Sequence, residues 1–351
     1  MTLSHMIIPK NYKTLFENIK KRICSSQIKA AIKVNEELLK LYWEIGKEIA
    51  ERQEREKWGS EIIEKLGKDL QNAFPGIEGF SRRNIFRMRA FYLAYQKVPQ
   101  AVAQIDSLPI FRIPWGHNAI LIEKVKDIET RLWYAEKAIE HGWSRNMLEL
   151  WIKSNLHNRE GKAITNFQRT LPSSQSDLAQ QTLKDPYLFD FLALHKDHIE
   201  QELEAGLIEN IQKFLIELGQ GFAFVGRQVN LHLGDVDYYI DLLFYHLKLR
   251  CYCIVELKNT PFKPEYTGKM GLYLAAVDEK LKHSTDNPSI GMILCKSKDK
   301  LTVEYTLRGN NNPIGVSSYE TKIFEKLPKE LKNSLPTIEE IEAELSKEDQ
   351  S

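Results

Sequence analysis

Residues 237–259 read DYYIDLLFYHLKLRCYCIVELKN, a run of apolar and β-branched residues that predicts two β-strands joined by a short basic turn. Three charged residues interrupt these strands: Asp241 in the first strand, and Glu256 and Lys258 in the second. Burial of an unpaired charge is costly, and strands in a protein core normally exclude charged side chains. The three charges therefore require a structural or functional explanation.

The geometry of a β-hairpin brings these charges together. Side chains alternate between the two faces of a strand, which places Glu256 and Lys258 on the same face. A turn centred on Lys248 and Leu249 would put Asp241 directly opposite Glu256. Facing carboxylates repel each other, so this arrangement predicts a cation between them, and Mg²⁺ prefers carboxylate and carbonyl oxygens as ligands. A structural salt bridge of Lys258 with one of the acids is the alternative.

The composition is that of a folded protein with two domains of ordinary size: 351 residues, of which 42% are hydrophobic and 28% charged. The net charge of +1 does not by itself indicate a nucleic-acid partner. No apolar run approaches the roughly 18 residues of a membrane span, and the start lacks a signal-peptide pattern, which favours a cytoplasmic protein. Four scattered cysteines predict no disulfide framework, and Cys251 and Cys253 are expected to be buried thiols.

The first half of the chain carries the apolar periodicity of helices. A long helix is predicted over residues 12–56, with a buried stripe formed by Leu38, Leu41, Tyr42, Ile45 and Ile49. Shorter helices are predicted at 60–74, from 81 onward, at 115–126 and at 129–157. Together they define a helical domain over residues 1–165. The following segment, 166–183, is rich in Ser, Gln and Thr and is predicted to be a linker.

The remainder, residues 184–335, mixes helical and strand patterns. The order is a helix, three strands, a helix, a strand, a helix and a short strand, which predicts an α/β domain around a mixed sheet. The last sixteen residues, 336–351, hold six acids and one lysine and are expected to form a solvated tail or a final short helix. The predicted fold class is therefore a two-domain α+β protein, with an all-helical N-terminal domain and an α/β C-terminal domain.

A basic helix is predicted at residues 81–97, SRRNIFRMRAFYLAYQK, which hold five positive charges and no acid. With the helix before it and the PGIEGF turn, this segment predicts a helix-turn-helix-like unit whose second helix enters a groove of DNA. The candidate contacts to phosphates or base edges are Arg82, Arg83, Arg87 and Arg89. The alternative is an amphipathic helix with a solvated basic face, or one paired with the acidic segment ERQERE at residues 51–56.

Longer segments resemble a known family. IDLLFYH at 240–246 followed by VELK at 255–258 looks like the core of PD-(D/E)XK nucleases, the fold of many restriction endonucleases and Holliday-junction resolvases. The segments IPWGHN (113–118), IQKFLIELGQGFAFVGRQ (211–228) and NPSIGMILCKSK (287–298) further resemble the bacterial YhcG-type family. Members of that family pair a helical N-terminal domain with a C-terminal PD-(D/E)XK domain, so the resemblance implies a restriction-endonuclease-like core for residues 184–335.

The resemblance also implies roles for individual residues. Asp241 and Glu256 match the two acids of the nuclease motif, and Lys258 matches the motif lysine. The carbonyl oxygen of Leu257 would be a backbone metal ligand beside the two carboxylates. Together these groups would hold the metal and carry out catalysis.

Three further positions of the C-terminal domain bear on the site. In such cores another acid often comes from the first helix, and Glu209 is the candidate, ahead of Glu202 and Glu204. The proline of the motif name is absent, because Ile240 precedes the first acid. In the helix after the motif lysine the family pattern leads us to expect a polar residue such as Gln, but this chain has Lys269. Lys269 in place of Gln leaves the metal ligands intact, but it puts the fine tuning of the site, and with it the activity, in question.

The implied reaction is hydrolysis of phosphodiester bonds in DNA with one or two Mg²⁺ ions, or with Mn²⁺, leaving a 5′-phosphate and a 3′-hydroxyl. Lys258 would position the attacking water or stabilise the charge on the phosphorus. Arg227, Gln228 and Lys269 are candidate contacts to the DNA backbone. For Arg227, a solvated charge at a strand end is an equal alternative.

The expected partner is DNA, branched or foreign, in recombination, repair or defence. A homo-oligomer is expected as well, because cutting two strands usually needs two active sites. The sequence lacks GxxxxGK[ST], so no nucleotide cofactor of the P-loop kind is expected. The alternative function is a catalytically silent nucleic-acid-binding or oligomeric assembly protein built on the nuclease fold.

Overall fold

The computed structural model describes residues 11–96, 108–194 and 198–323, and the chain divides into two compact units between His157 and Asn158. The first unit is helical, as predicted. Its helices in the described ranges are α1 (Tyr12–Glu56), α2 (Ser60–Ala73), α3 (Arg82–Tyr95), α4 (Trp115–Lys124), α5 (Ile128–His141) and α6 (Arg145–Lys153). Nowhere in these three ranges is a helix both long enough and apolar enough to cross a membrane.

Helix α3 packs against α1, α2 and α4 and organises the core of the first unit. Its buried residues Ile85, Met88 and Phe91 recur every three positions, which keeps them on one helix face. The Trp43 ring of α1 meets the Phe91 ring edge-on, with 5.5 Å between the ring centroids. Gly142, at φ 60°, ends α5, so the predicted helix at 129–157 is in fact two helices.

The buried face of α1 coincides only in part with the predicted stripe: Tyr42 and Ile49 are buried and Ile45 packs against the core. Leu38 and Leu41 of the predicted stripe remain 39% and 44% exposed. Apolar residues occupy two faces of this helix, and periodicity alone does not tell which face meets the other helices. The residues that α1 buries are Leu39, Tyr42, Trp43, Gly46 and Ile49.

The second unit contains a sheet with helices on both faces. Its strands are β1 (Ile164–Thr165), β2 (Tyr187–Leu194), β3 (Phe222–Leu233), β4 (Val236–His246), β5 (Cys251–Pro261), β6 (Ile290–Ser297) and β7 (Ile314–Ile323). Its helices are α7 (Phe167–Thr170), α8 (Ser173–Thr182), α9 (Glu200–Glu209), α10 (Ile211–Leu218), α11 (Tyr266–Lys280) and α12 (Lys300–Arg308). The predicted order of elements from the first helix to the last strand is confirmed. The predicted single first helix is split at Asn210 into α9 and α10.

The sheet has the order β1-β7-β6-β5-β4-β3, and β2 also pairs with β7. Strands β3, β4 and β5 pair antiparallel, whereas β5, β6 and β7 pair parallel, so the predicted mixed sheet is confirmed. Leu242 and Phe244 of β4 pack with α8, α9 and α10, and Leu243 packs with α11 and α12. Burial on both faces explains why the central strands are continuous apolar runs rather than alternating ones.

The segment predicted as a linker, 166–183, is part of the second unit. It contains α7 and α8, and its residues Phe167 and Leu183 lie in the hydrophobic core. The Asn166 side chain donates to the backbone carbonyls of Asn310 and Asn312 and so ties the segment to the start of β7. Its polar composition reflects helices with one buried face, and the unit boundary falls earlier, before Asn158. The predicted tail, 336–351, lies outside the described residues.

Phe244 anchors the core of the second unit, and Phe244→Ala should lower the free energy of unfolding by about 3–5 kcal/mol. The ring is fully buried and contacts the rings of Phe214, Phe222 and Phe224. Urea unfolding followed by far-UV circular dichroism measures the change. Tryptophan fluorescence checks that the first unit stays folded, because all six tryptophans precede residue 158.

The matched control is Phe224→Ala, which removes the same ring from a position that is 38% exposed. Phe224→Ala should lower the free energy of unfolding clearly less than Phe244→Ala does, because it removes less apolar surface from the protein interior. Equal losses for the two variants would show that Phe244 does not anchor this core.

Candidate active site

The β4–β5 hairpin has the predicted geometry. Its turn comprises residues 247–250, and the facing pairs run from residues 246 and 251 to residues 242 and 255, so the predicted turn centre is confirmed. Continued by one residue, this register places Asp241 opposite Glu256. The Asp241 carboxylate accepts a hydrogen bond from the backbone N–H of Leu257 at 2.9 Å. The first motif acid is thus fixed to the strand that carries the other two charges.

The Glu256 side chain lies at the centre of a charged cluster and is only 2% exposed. Its Oε2 atom accepts a hydrogen bond from Lys269 Nζ at 3.2 Å and lies 3.3 Å from Lys258 Nζ. Its Oε1 atom is buried and has no hydrogen-bond partner among the described residues. An orphaned buried carboxylate oxygen is costly, and it is a suitable ligand position for a hard cation.

Lys258 is held by three oxygen atoms. Besides its contact with Glu256, its Nζ donates to Glu200 Oε2 at 3.2 Å and to the Leu257 carbonyl at 3.0 Å. The Tyr266 ring lies 5.6 Å from the same nitrogen, within the range of a cation–π contact. The ammonium group is therefore a positive charge with a defined position beside the carboxylates.

Burial is the main influence on the ionisation of the two carboxyl groups. It raises the pKa of Asp241 and of Glu256, and the neighbouring Asp241 charge raises the pKa of Glu256 further. For Lys258, burial acts to lower the pKa, but the surrounding acids, Glu256 first, outweigh it and the pKa is raised. The lysine therefore stays protonated, while burial disfavours the charged form of both carboxyl groups, which a further cation would favour.

The oxygen donors of this cluster fit a magnesium ion. Asp241 and Glu256 offer two carboxylates, and Mg²⁺ is commonly held by one or two carboxylates while waters and substrate phosphates complete its coordination. The third predicted ligand, the carbonyl of Leu257, is engaged by Lys258 Nζ. Across residues 11–96, 108–194 and 198–323, no three His, Cys, Asp or Glu side chains are grouped so that they could hold a metal.

The helix acid that reaches the cluster is Glu200 rather than the predicted Glu209. Glu200 is the first residue of α9, contacts Lys258, and accepts a hydrogen bond from the backbone N–H of Asn259 at 3.2 Å. Glu209 is exposed at the last position of α9, about 13 Å further along the helix axis. The prediction assumed one helix leading directly to the sheet, but α9 ends at Asn210 and a second helix intervenes.

Arg227 and Gln228 of β3 both contact the buried Glu204. Arg227 Nε lies 2.7 Å from Glu204 Oε1, and Gln228 Nε2 donates to Glu204 Oε2 at 2.6 Å. Arg227 is therefore an ion-pair partner of Glu204 rather than a solvated strand-end charge, although its side chain is half exposed. A contact of either residue with DNA stays a prediction.

Lys269 projects from α11 towards the motif strands, as predicted. Its Nζ atom bonds Glu256, and the Tyr273 ring one turn along the same helix lies 5.0 Å away. The Tyr273 hydroxyl in turn donates to the backbone carbonyl of Tyr239 at 2.6 Å. Sequence reasoning missed Tyr266 and Tyr273 as neighbours of the two lysines. Lys269 and Tyr273 are four positions apart on one helix, and this spacing is the signal that could have identified Tyr273 as a neighbour of Lys269.

The basic helix α3 forms as predicted, with the Ser81 side chain accepting a hydrogen bond from the backbone N–H of Asn84. Arg82 and Arg83 are exposed in its first turn, whereas Arg87 and Arg89 are partly buried. Lys97, the fifth charge of the predicted helix, lies outside the described residues. The first turn is therefore the part of the helix that presents its arginines most openly.

The ion pairs of α3 go to the neighbouring helices. Arg82 lies 3.5 Å from Glu64 of α2, and Arg87 lies 3.7 Å from Glu123 of α4. The acidic segment 51–56, the partner considered in the alternative interpretation, supplies neither contact. Arg83 makes no ion pair with any residue that the structure describes, so its charge is available to a ligand.

Comparison with known proteins shows which family has this architecture. Residues 180–336 match the YhcG PDDEXK nuclease domain, and residues 18–159 match the DUF1016 N-terminal domain. A protein of Escherichia coli (strain K12) named "Putative nuclease YhcG" is 30% identical over 362 residues, which cover 94% of this chain and 96% of that protein. The chain belongs to the YhcG family. The family resemblance and the PD-(D/E)XK-like fold expected from it are confirmed.

Two solved structures match a smaller part of the chain. A repair endonuclease from Pyrococcus abyssi is 13% identical, with a TM-score of 0.25 over 37% of this chain and 50% of that one. The structure of an EndoMS–dsDNA complex is 15% identical, with a TM-score of 0.26 over 39% of this chain and 48% of that one. The chain spans about half the length of these proteins.

Without metal, in the presence of EDTA, Asp241→Asn should make the protein more stable than the wild type at neutral pH. Burial raises the pKa of Asp241 above its ordinary value of 3.8, so above that value the folded state binds more protons than the unfolded state. Wild-type stability therefore falls as the pH rises through this window, and the gain from Asn should shrink as the pH is lowered towards 4. Thermal unfolding at a series of pH values measures the difference.

Asp237→Asn is the control on the same strand. Asp237 is exposed, and its hydrogen bond with His232 lowers its pKa, so this substitution should bring no gain at neutral pH. A stability gain of Asp241→Asn that does not change with pH would contradict the raised pKa.

Proposed function

We propose that this protein is an endonuclease that hydrolyses phosphodiester bonds in DNA and requires Mg²⁺, for which Mn²⁺ can substitute. The observation that carries the proposal is the buried Glu256 carboxylate, which has one oxygen without a donor, faces Asp241, and lies beside Lys258. Phosphodiester hydrolysis needs carboxylates for a cation and a fixed positive charge near the phosphate. Membership of a family whose C-terminal domain is described as a nuclease supports the same chemistry.

Asp241 and Glu256 are the residues that would hold the ion. Bound there, Mg²⁺ would lower the pKa of a coordinated water and polarise the phosphate. The chain itself fixes both carboxylates before any ligand arrives: the Leu257 N–H binds Asp241, and two lysines bind Glu256. Such preorganisation spares the reaction the cost of ordering these groups.

Lys258 acts as a hydrogen-bond donor and a positive charge in this mechanism. Its raised pKa argues against a role as proton acceptor. Glu200 and the Leu257 carbonyl hold its Nζ atom beside the carboxylates, where it would position the attacking water or stabilise charge developing on the phosphate oxygens. Glu200 is thus a positioning residue for Lys258.

DNA binding is assigned to the helix-turn-helix-like pair α2 and α3. The exposed Arg82 and Arg83 lie in the first turn of α3, where helices of this kind contact phosphates or base edges. Arg87 lies one turn further, on the same face as Arg83. A buried apolar face of α3 keeps these arginines on the outside of the unit. Recombination, repair and defence against foreign DNA are the processes such an enzyme would serve.

One observation favours a second candidate function, a nucleic-acid-binding protein without turnover. Lys269 occupies the helix position where the family pattern leads us to expect a neutral polar residue, and it binds the same Glu256 oxygen that Lys258 contacts. Two ammonium groups on one carboxylate neutralise much of the cluster without any metal. The cleavage experiment below separates this candidate from the nuclease.

Lys258→Ala should lower the rate of DNA cleavage about 100-fold or more with little loss of DNA affinity, because its charge acts on the transition state. Rates are measured on supercoiled, linear, branched and single-stranded DNA and on RNA, with Mg²⁺ or Mn²⁺. The matched control, Lys213→Ala, removes an exposed lysine of α10 in the same unit and should cleave as the wild type does.

Three outcomes would change the assignment. Wild-type activity of Lys258→Ala would contradict the mechanism. Cleavage of RNA alone would correct the substrate. If the wild type bound DNA tightly but cleaved none of these substrates, the silent nucleic-acid-binding protein would be the better assignment.

Replacing both Arg83 and Arg87 by Ala should weaken DNA binding and flatten its salt dependence. The slope of log affinity against log salt should fall by about 0.9 for each lost phosphate contact. Fluorescence anisotropy in the Lys258→Ala background measures both quantities. Arg52→Ala combined with Arg55→Ala removes two exposed arginines of α1 and should leave the slope unchanged. An unchanged slope for the α3 variant would show that α3 does not contact the DNA backbone.

A further inference from the structure

Helix α1 carries a second apolar stripe, distinct from the face it buries against α3. The stripe runs along the helix on the side where Leu38 and Leu41 remain exposed. Phe16 and Ile23 are 52% and 53% exposed, and Val34 is 69% exposed. The stripe comprises Tyr12, Phe16, Ile19, Ile23, Gln27, Ala30, Val34, Leu38, Leu41 and Ile45, of which Gln27 is polar and Ile45 is partly buried against the helical core. Exposed apolar side chains in this number on one helix indicate an interaction surface.

The spacing of the stripe repeats every eleven residues. The steps between successive members are 4, 3, 4, 4, 3, 4, 4, 3 and 4, an average close to the helical repeat, so the members stay on one face along the whole length. The same steps read identically from either end, about a midpoint between residues 28 and 29. A face with this symmetry matches itself when a second copy of the helix is turned end over end.

We propose that the stripe is covered by the same stripe of a second copy of this chain, with the two α1 helices antiparallel about a two-fold axis near residue 28. Each member then faces another member, as an isologous interface requires. The facing pairs are Tyr12 with Ile45, Phe16 with Leu41, Ile19 with Leu38, Ile23 with Val34 and Gln27 with Ala30.

The charges along α1 favour the antiparallel orientation. Within the overlap, residues 12–28 contain four basic residues and one acid, whereas residues 29–45 contain three of each. An antiparallel pair sets the net-positive end of one helix against the neutral end of the other. A parallel pair would set the net-positive ends against each other. The seven acids between residues 34 and 56 also oppose binding of the stripe to an anionic membrane, the other surface that a basic apolar helix suits.

The length of the stripe is sufficient for a stable dimer. From Tyr12 to Ile45 the helix extends about 50 Å. A contact strip about 10 Å wide on each copy would bury about 1,000 Å² in total, near the lower limit for a specific protein interface. The proposal does not depend on nuclease activity, although a dimer would give the proposed endonuclease two active sites.

Substitution on and off the stripe provides the first test. The wild-type full-length chain should have twice its 40.8 kDa mass in light scattering coupled to size exclusion. Ile23→Glu should raise the dissociation constant of the dimer about 100-fold or more, because the interface would bury two carboxylates. The matched control is Ile28→Glu, the same change at a residue that is 60% exposed on another face of α1, and it should leave the dimer intact.

Disulfide cross-linking tests the register in a Cys24→Ser background, which removes the exposed cysteine of α1. A differently tagged mixture of Phe16→Cys and Leu41→Cys chains should cross-link to each other on oxidation, and neither variant alone should. Cross-linking of Phe16→Cys with itself would indicate parallel helices and overturn the proposal. A monomeric wild type, a monomer that binds anionic vesicles, or equal dissociation by Ile23→Glu and Ile28→Glu would overturn it as well.

Discussion

The pairing of β4 with β5 is the interaction on which the candidate site depends. Its register sets Asp241 across from Glu256, and the Leu257 N–H fixes the Asp241 carboxylate to the neighbouring strand. Both strands are buried on two faces, and a shift by one residue would turn every side chain to the opposite face, where it would meet the wrong packing partners. The same burial raises the pKa of both acids, because it disfavours their charged forms.

The helices around the sheet add two further charged residues to the cluster on the hairpin. Helix α9 brings Glu200 to Lys258 from one side, and α11 brings Lys269 to Glu256 from the other. These contacts arise because the first residue of α9 and the first turn of α11 lie next to the centre of β5. The cluster therefore combines residues from four elements, β4, β5, α9 and α11. Lys269 is the residue in which the cluster departs from the expected family pattern, and it binds the same Glu256 oxygen that Lys258 contacts.

The first unit shows how one helix can serve two surfaces. The second half of α1 buries Leu39 and Trp43 in the helical core, while the second stripe faces outward over nearly the whole helix. A helix with apolar residues on two faces can bury each face against a different partner. In the described part of the chain, α3 and its neighbours cover one of these faces. The basic helix α3 packs on the inner face of α1, away from the stripe of the proposed dimer contact.

The sequence by itself determined the two-part architecture, the mixed sheet, the hairpin turn and the trio Asp241, Glu256 and Lys258, because strand alternation and a short turn are local properties. Three features depended on the tertiary structure: the choice of Glu200 over Glu209, the packing of segment 166–183 into the core, and the face that α1 buries. Each is set by which neighbour a helix meets. A period of 3.6 residues shows that a helix has an apolar face, but when acids or apolar residues occupy several faces only packing selects among them.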